Sequence, residues 1–235
     1  MPTTEYKICP RCCMDTSADE FELVGNGCYF CELARKSLAE IEKEKINLNK
    51  WIERIKKDGE DKEYNCLIGL SGGIDSSFTL HKAIELGLRP LCFTVDTGYN
   101  KPAADENILK MVETLKVPFF RYTIDLEKFR ELQGAFIKAG LKNIEIPTDA
   151  VLMATTYEVA NKVGIKWILS GGNVASESVM PFSWGYNARD AVHIKGVYKK
   201  ITGKKLTGLP ICSLLRYNYL KWVRKIKTLY LLDYI

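Results

Sequence analysis

The sequence predicts an α/β protein whose core is a parallel sheet, with a small cysteine-bearing module ahead of it. Three observations carry this. Short apolar runs alternate with helical patterns from residue 64 onward, the run Leu67-Ile68-Gly69-Leu70 opens into a glycine-rich turn and a helix start, and two Cys-x-x-Cys pairs stand near the N-terminus. A chain of 235 residues is long enough for one sizeable α/β core and a small appendage. No apolar stretch approaches the roughly 20 residues of a membrane span, and no basic-then-apolar leader opens the chain. The expectation is a cytoplasmic protein with no membrane partner. In that compartment its 8 cysteines point to metal rather than to disulfides.

The first element is the cysteine module, placed at residues 1–35. Cys9, Cys12, Cys28 and Cys31 form two knuckles with fifteen residues between them, which is the ligand number and spacing of a closed tetrahedral Zn2+ site. Cys13 is the one neighbouring alternative. Four cysteine ligands leave no open position for a substrate, so the metal is expected to be structural, tying down a segment too short to have its own core. Residues 36–63 form the link to the core. Across 33–57, Leu38, Ile41, Leu48, Ile52 and Ile55 recur at three- and four-residue steps, predicting one amphipathic helix, and the polar stretch 58–63 is read as a hinge.

The domain from 64 to 235 then alternates. Strands are expected at 64–70, 90–96, 118–124 and 165–169, and helices at 75–86, 103–116, 126–139 and 149–163. Helices at 188–198 and 213–226 and a last strand at 229–235 complete the chain. Buried strands separated by helices imply a sheet covered on both faces, with ligands at the carboxyl ends of the strands. Asp96 is expected there. An ending on an apolar strand is read as a domain whose sequence continues further.

The turn after the first core strand carries the chemistry. Ser71, Gly72 and Gly73 let the backbone approach an anion, and the first N–H groups of the next helix point at it with the positive end of the helix dipole behind them. Asp75, Ser76 and Ser77 at the helix start can cap orphan N–H groups or meet a phosphate and its Mg2+. The string lacks both the Gly-Lys-Ser/Thr of a Walker loop and the Gly-x-Gly-x-x-Gly of dinucleotide folds. A second turn, Ser170-Gly171-Gly172-Asn173, also follows a strand and could line the same ligand. Beyond it, Glu177, Pro181, Trp184, Asn187, Asp190 and His193 form a polar and aromatic set in which Asn173, Glu177, Trp184, Asn187 and His193 are the candidate substrate contacts. From 191 to 232 there are ten Lys/Arg and no Asp or Glu, within a chain of net charge +5. Such a stretch suits an anionic ligand with few phosphates rather than a nucleic acid.

The run from Ser71 to Ser77 resembles the Ser-Gly-Gly-x-Asp-Ser-Ser pyrophosphate loop of the ATP-pyrophosphatase superfamily. The resemblance implies an adenine-nucleotide α-hydrolase-like (HUP-type) core and ATP cleavage to AMP and pyrophosphate. In it Ser71, Gly72, Gly73, Asp75, Ser76 and Ser77 hold the pyrophosphate, Ser170, Gly171 and Gly172 line the nucleotide, and Asp75, Ser76 and Asp96 serve catalysis with Mg2+. Across the Cys-Pro-x-Cys start, the loop, the stretch from Asp96 to Asn107, Ser170 to Asn173 with Glu177, and the closing Leu231-Leu232-Asp233-Tyr234, the chain resembles the N-acetyl sugar amidotransferases of bacterial surface-polysaccharide and nonulosonic-acid biosynthesis. The resemblance implies an enzyme that adenylates the acetamido oxygen of a nucleotide-linked N-acetyl sugar and replaces it with ammonia. It differs at Ile74, where relatives often carry Lys, and the family pattern runs on past 235. With only His81 and His193 and no adjacent cysteine, no glutaminase is expected in this chain. The resemblance implies that separate glutaminase and cyclase-like subunits supply the ammonia. Two other readings compete: a tRNA-thiolating enzyme, for which Cys212 is the one sulfur carrier outside the buried strands, and a non-catalytic zinc- and nucleotide-binding scaffold.

Overall fold

The computed structural model describes residues 5–177, 179, 181–185 and 187–235, so the first four residues of the cysteine module lie outside the described residues. The chain opens with the cysteine knuckle and a short antiparallel pair, β1 (Leu23–Val24) and β2 (Gly27–Cys28). Next come α1 (Tyr29–Glu44), a 3-10 turn at Lys45–Asn47 and α2 (Leu48–Asp58). The core then alternates: β3 (Cys66–Gly69), α3 (Ile74–Glu85), β4 (Pro90–Asp96), α4 (Pro102–Leu115), β5 (Phe119–Thr123), α5 (Leu126–Lys138), α6 (Ile146–Val163) and β6 (Trp167–Ser170). After it lie a single turn of helix, α7 (Val174–Glu177), then α8 (Ala191–Thr202), α9 (Leu214–Asn218) and β7 (Lys227–Tyr230).

The five core strands form one parallel sheet in the order β5-β4-β3-β6-β7. The first core strand therefore sits in the middle. The chain builds outward to β5, then returns across the sheet to place β6 on the other side of β3. Side chains alternate as the pleat requires. Leu67, Phe93, Val95 and Ile168 pack under α5 and α6, whereas Cys66, Ile68, Cys92, Trp167 and Leu169 pack under α2, α3 and α4. Both faces are covered, which is why the strands read as continuous apolar runs. The α/β class and the parallel sheet are as the sequence predicts.

The structure corrects the expected elements in six places. The single helix over 33–57 is two helices, because the 3-10 turn at Lys45–Asn47 lets each serve a different neighbour. In α2, Ile52 and Ile55 sink into the sheet face, Trp51 packs on Trp167 with ring centroids 6.0 Å apart, and Trp167 Nε1 donates to Asp58 Oδ2 at 2.9 Å. α1 instead lies along β2, α7 and the C-terminal turn. The stretch 58–63 is held as well: the Arg89 side chain donates to the carbonyls of Gly59, Lys62 and Glu63.

The last strand, expected at 229–235, begins at Lys227 and stops at Tyr230, followed by a 3-10 turn at Leu231–Tyr234. Its ladder partner β6 ends at Ser170, opposite Tyr230, so nothing remains to pair with. The helix expected over 213–226 passes from α9 into a π-turn at Tyr219–Val223, closed by Arg224 N donating to Tyr219 O. The helix expected at 188–198 starts at Ala191, since Asp190 caps it by accepting from His193 N at 2.9 Å. α6 begins earlier than expected, with Pro147 in its first turn, where its missing N–H costs nothing.

Ile55 is fully buried and Ile46 is 86% exposed, although both lie on the same stretch between module and core. Ile55→Ala should therefore cost about 2–5 kcal/mol of unfolding free energy, and Ile46→Ala less than about 0.5 kcal/mol. Urea denaturation of the two variants checks it.

Candidate functional site

β3 and β6 are neighbours whose following connections go to different parts of the fold, and the two glycine turns leave their carboxyl ends side by side. That is the switch point of an open α/β sheet, where such folds take their ligands. The turn from Ser71 to Ser77 is built from its own hydroxyls. Ser76 Oγ accepts from Ser71 N at 3.2 Å, lies 3.1 Å from Ser71 Oγ, and donates to Gly73 O at 3.1 Å. Ser77 Oγ donates to the same carbonyl at 2.8 Å. Ser76 is buried, so its hydroxyl shapes the turn from within rather than reaching outward. Asp75 and Ile74 are exposed in the first turn of α3, whose leading N–H groups have no intrahelical partner.

Glycine is required at Gly72 and favoured by tight packing at Gly171. Gly72 has φ +75°, and a Cβ there would lie 2.3 Å from Ala104 O, because the first turn of α4 packs directly on the loop. Asn107 Nδ2 adds a bond to Gly72 O at 3.3 Å. At Gly171, a Cβ would stand 3.0 Å from Asp75 C and from Ser76 N. The second turn thus presses its bare backbone against the start of α3. Gly172 N donates to Ser170 Oγ at 3.2 Å, and Glu177 Oε2 lies over Gly172. Asn173 O accepts from Glu177 N, and Val174 N donates to Asp233 Oδ1 at 2.8 Å.

Asp96 ends β4, as expected. One of its oxygens accepts from Gly98 N at 2.9 Å, and the other faces Arg121, which also binds Asp105 at 3.2 Å. The hydrogen bond from Arg121 holds the Asp105 carboxyl below its usual range. Beside Ser71 a cavity of about 340 Å³ opens between β3, β4 and α6. Phe93, Val95 and Leu152 give it apolar walls, and Thr94, Thr97, Asn100, Thr148 and Thr156 give it hydrogen-bonding groups. Its size and mixed lining suit a flat heteroaromatic ring such as a nucleobase. A second cavity of about 480 Å³ shares Thr97 and Thr148 with it and carries Arg130 and Tyr99.

The remaining substrate candidates are scattered. Trp184 lies against the cysteine module, with its Nε1 donating to Ser17 O at 3.4 Å. Asn187 accepts from Arg189 N in a local turn, and the His193 ring stacks edge-on to Phe136 at 6.0 Å. The basic stretch is divided too. Lys204 pairs with Glu131 and Arg216 with Glu158, each at 2.7 Å. Arg224, Lys225 and Lys227 lie at the amino ends of the strands, away from the glycine turns, because Lys227 pairs with Trp167 at the start of β6. A single anion-binding face over 195–227 is not what the fold makes of these residues.

The cysteine centre has the geometry of a metal site. The Sγ atoms of Cys9, Cys12, Cys28 and Cys31 all lie within 4.8 Å of one another, with separations of 3.7 Å for Cys9 to Cys31 and 3.5 Å for Cys12 to Cys28. A tetrahedral zinc thiolate with Zn–S near 2.3 Å has S···S edges of about 3.8 Å, so the donor set fits zinc. Burial alone would raise the Cys9 thiol, but N–H groups of Arg11 and Cys12 outweigh it and bring it to about 7. Burial pushes Cys12 up to about 12. Cys13 is exposed and outside the cluster.

Sequence reasoning gave no role to Ala104, Arg121 or the cavity wall on α6, and met Asp233 only within the closing motif 231–234. Thr148, Leu152 and Thr156 recur at four-residue steps, so two threonines on one stripe of an otherwise apolar helix were the available signal. No such pattern announces Ala104 or Asp233.

No protein-family model matches the chain, and no curated protein matches it. Among solved structures, an NH3-dependent NAD synthetase from Campylobacter jejuni is 18% identical with a TM-score of 0.40, the match covering 57% of each chain. NMN synthetase from Francisella tularensis is 15% identical with a TM-score of 0.42, covering 80% of this chain and 97% of that one. A predicted subunit of tRNA methyltransferase from Methanocaldococcus jannaschii is 15% identical with a TM-score of 0.41, covering 70% of this chain and 66% of that one. At these scores the likeness adds nothing to the site, which stands on the chain's own sheet order and turns.

Two outcomes are expected. Gly171→Ala should weaken the binding of inorganic pyrophosphate roughly tenfold or more by displacing the first N–H groups of α3, whereas Gly196→Ala, with nothing within 4 Å of the added Cβ, should leave it unchanged in calorimetric titration. Protein purified without chelator should carry one zinc per chain. Cys28→Ser should lose it and loosen the arm while the cooperative unfolding of the core persists, as metal analysis and circular dichroism would record.

Proposed function

We propose that the chain is an ATP-dependent, AMP-forming amidotransferase of the carbon–nitrogen ligase type. The observation that carries this reading is the meeting of the two glycine turns at the start of α3, beside a cavity of nucleobase size. In this reading the first-turn N–H groups of α3 and the backbone at Gly72 and Gly73 cradle the pyrophosphate end, Asp75 and Asp96 face its Mg2+, and the cavity between Phe93 and Leu152 takes the adenine. ATP supplies an adenylate leaving group for an otherwise unreactive amide or carboxyl oxygen, which ammonia can then displace. The protein's part is positioning and charge stabilisation, and no nucleophilic side chain is needed.

For the acceptor, we favour a nucleotide-linked N-acetyl sugar whose acetamido group becomes an acetamidino group in polysaccharide biosynthesis. The support is the resemblance in Ser71 to Ser77, Ser170 to Asn173 with Glu177, and Leu231 to Tyr234. Ammonia would come from separate glutaminase and cyclase-like subunits, since His81 is a surface residue of α3 near Glu85 and His193 packs on Phe136. A cytoplasmic setting agrees with a cluster of reduced cysteines, and among the described residues no helix is long and apolar enough to cross a membrane. A thiolating reading finds little support in the remaining thiols: Cys66, Cys92 and Cys212 are all buried, and burial raises all three. Thiols so placed are poor sulfur carriers.

Incubation with ATP, Mg2+, ammonium and a set of nucleotide-linked N-acetyl sugars should give AMP and a product 1 mass unit lighter than the acceptor, the difference between an amide oxygen and an imino NH (about −1 Da). Asp75→Asn should reduce turnover roughly a hundredfold or more with little change in stability. ADP as the nucleotide product would overturn the assignment.

A further inference from the structure

The second glycine turn leads into α7, and the cysteine module holds both α7 and the described residues 181–185 beyond it. α7 packs on α1, the helix that leaves the module's second knuckle. At Ser183 the hold is a fork. Glu20 Oε1 accepts from Ser183 N at 3.0 Å and Glu20 Oε2 accepts from Ser183 Oγ at 2.8 Å, while Asp19 N donates to the same hydroxyl at 3.2 Å. Trp184 completes it by packing into the small cluster of Cys9, Ala18, Cys28 and Phe30. These partners are more than 160 positions apart in the chain.

The module also has closing bonds of its own. Its knuckle and hairpin are closed by bonds such as Cys9 N to Met14 O, Thr16 N to Lys7 O and Tyr29 N to Glu22 O. What the fork adds is a fixed position for Ser183, which the core also holds through Lys142 Nζ donating to Ser183 O at 2.8 Å. Both hydrogens of a main-chain and side-chain pair on one carboxylate restrict translation and rotation together, as bidentate charged contacts do.

We infer that the cysteine centre positions the wall of the active site that meets the acceptor, with Glu20 as the positioning residue that transmits it. A metal closing Cys9 and Cys12 on Cys28 and Cys31 fixes the strand of chain at 15–20, and that strand fixes 183–184. α7 on one side and Ser183 on the other are then held by one module. The mechanical link stands on the contacts alone; its assignment to the acceptor rests on the amidotransferase reading above.

Hydrogen exchange on the intact zinc-loaded protein tests the link. Glu20→Gln, with zinc content checked, should speed amide exchange in peptides from 174–185 about tenfold or more, as the loss of a charge-assisted pair predicts. Peptides from 66–85, with the pyrophosphate turn, should exchange as in wild type. Ser183→Ala leaves every residue of the module in place and should show the same pattern, which covers the case in which Glu20→Gln sheds its zinc. Wild-type exchange at 174–185 in both variants would overturn the inference. In turnover, both variants should raise KM for the acceptor about tenfold and leave KM for ATP unchanged; an equal rise in the two would overturn the assignment to the acceptor wall. Absence of turnover in the wild type with every N-acetyl sugar would instead sink the sugar reading, and the exchange result would still judge the link.

Discussion

The site depends on two stretches of backbone touching with no side chain between them. Gly171 lies so close to the carbonyl carbon of Asp75 and the nitrogen of Ser76 that an added methyl group would stand 3.0 Å from both and push them aside. A helix start offers several N–H groups to an anion, but in open solvent water competes for them. The second turn removes water from one side of that helix start and adds its own polar backbone. Ala104 does the same from the other side, against Gly72. The candidate site is thus a slot between three backbones, and the serines of the turn hold its shape.

Much of this was legible in the sequence, and the reasons are physical. A strand buried on both faces is mostly apolar along its length, so 90–96 could be read to the residue, while β3 and β6 blurred at their starts, where Tyr64, Asn65, Ile165 and Lys166 lead into the ladder. The cysteine spacing carried the metal centre whole, since ligands three apart must fold back on one another. Elements set by tertiary neighbours were not legible. α1 and α2 share one amphipathic pattern, and only the sheet that α2 covers explains the break. β7 ends because its partner does, a fact written at Ser170 rather than at Tyr230.

The loop residues beyond the second turn show the limit most clearly. Composition grouped Trp184, Asn187 and His193 as one polar and aromatic set, yet a bond to Ser17 in the cysteine module, a local turn and an edge-on contact with Phe136 send them to three places. The basic stretch misled in the same way. Ten cations without an acid in sequence suggest a charged face, but Glu131 and Glu158, supplied by α5 and α6, meet two of them, and the strand direction carries others to the far edge. A charge run reports its neighbours in sequence. It does not report which acids the fold brings to it.

The sheet order also sets a schedule. β3 leaves the ribosome early, pairs first with β4, and keeps its other edge bare until β6 arrives about a hundred residues later; at 5–20 residues per second that is roughly 5–20 s. For that interval the serine turn exists with only one of its two flanking backbones. A nascent chain of this fold therefore carries an apolar strand edge open to foreign strands, and closing it requires the most distant pairing in the sheet, the kind that forms slowly. Gly171 follows directly on β6, so in a growing chain the second turn reaches the start of α3 only when the central pairing of the sheet closes, before β7 adds the outer edge.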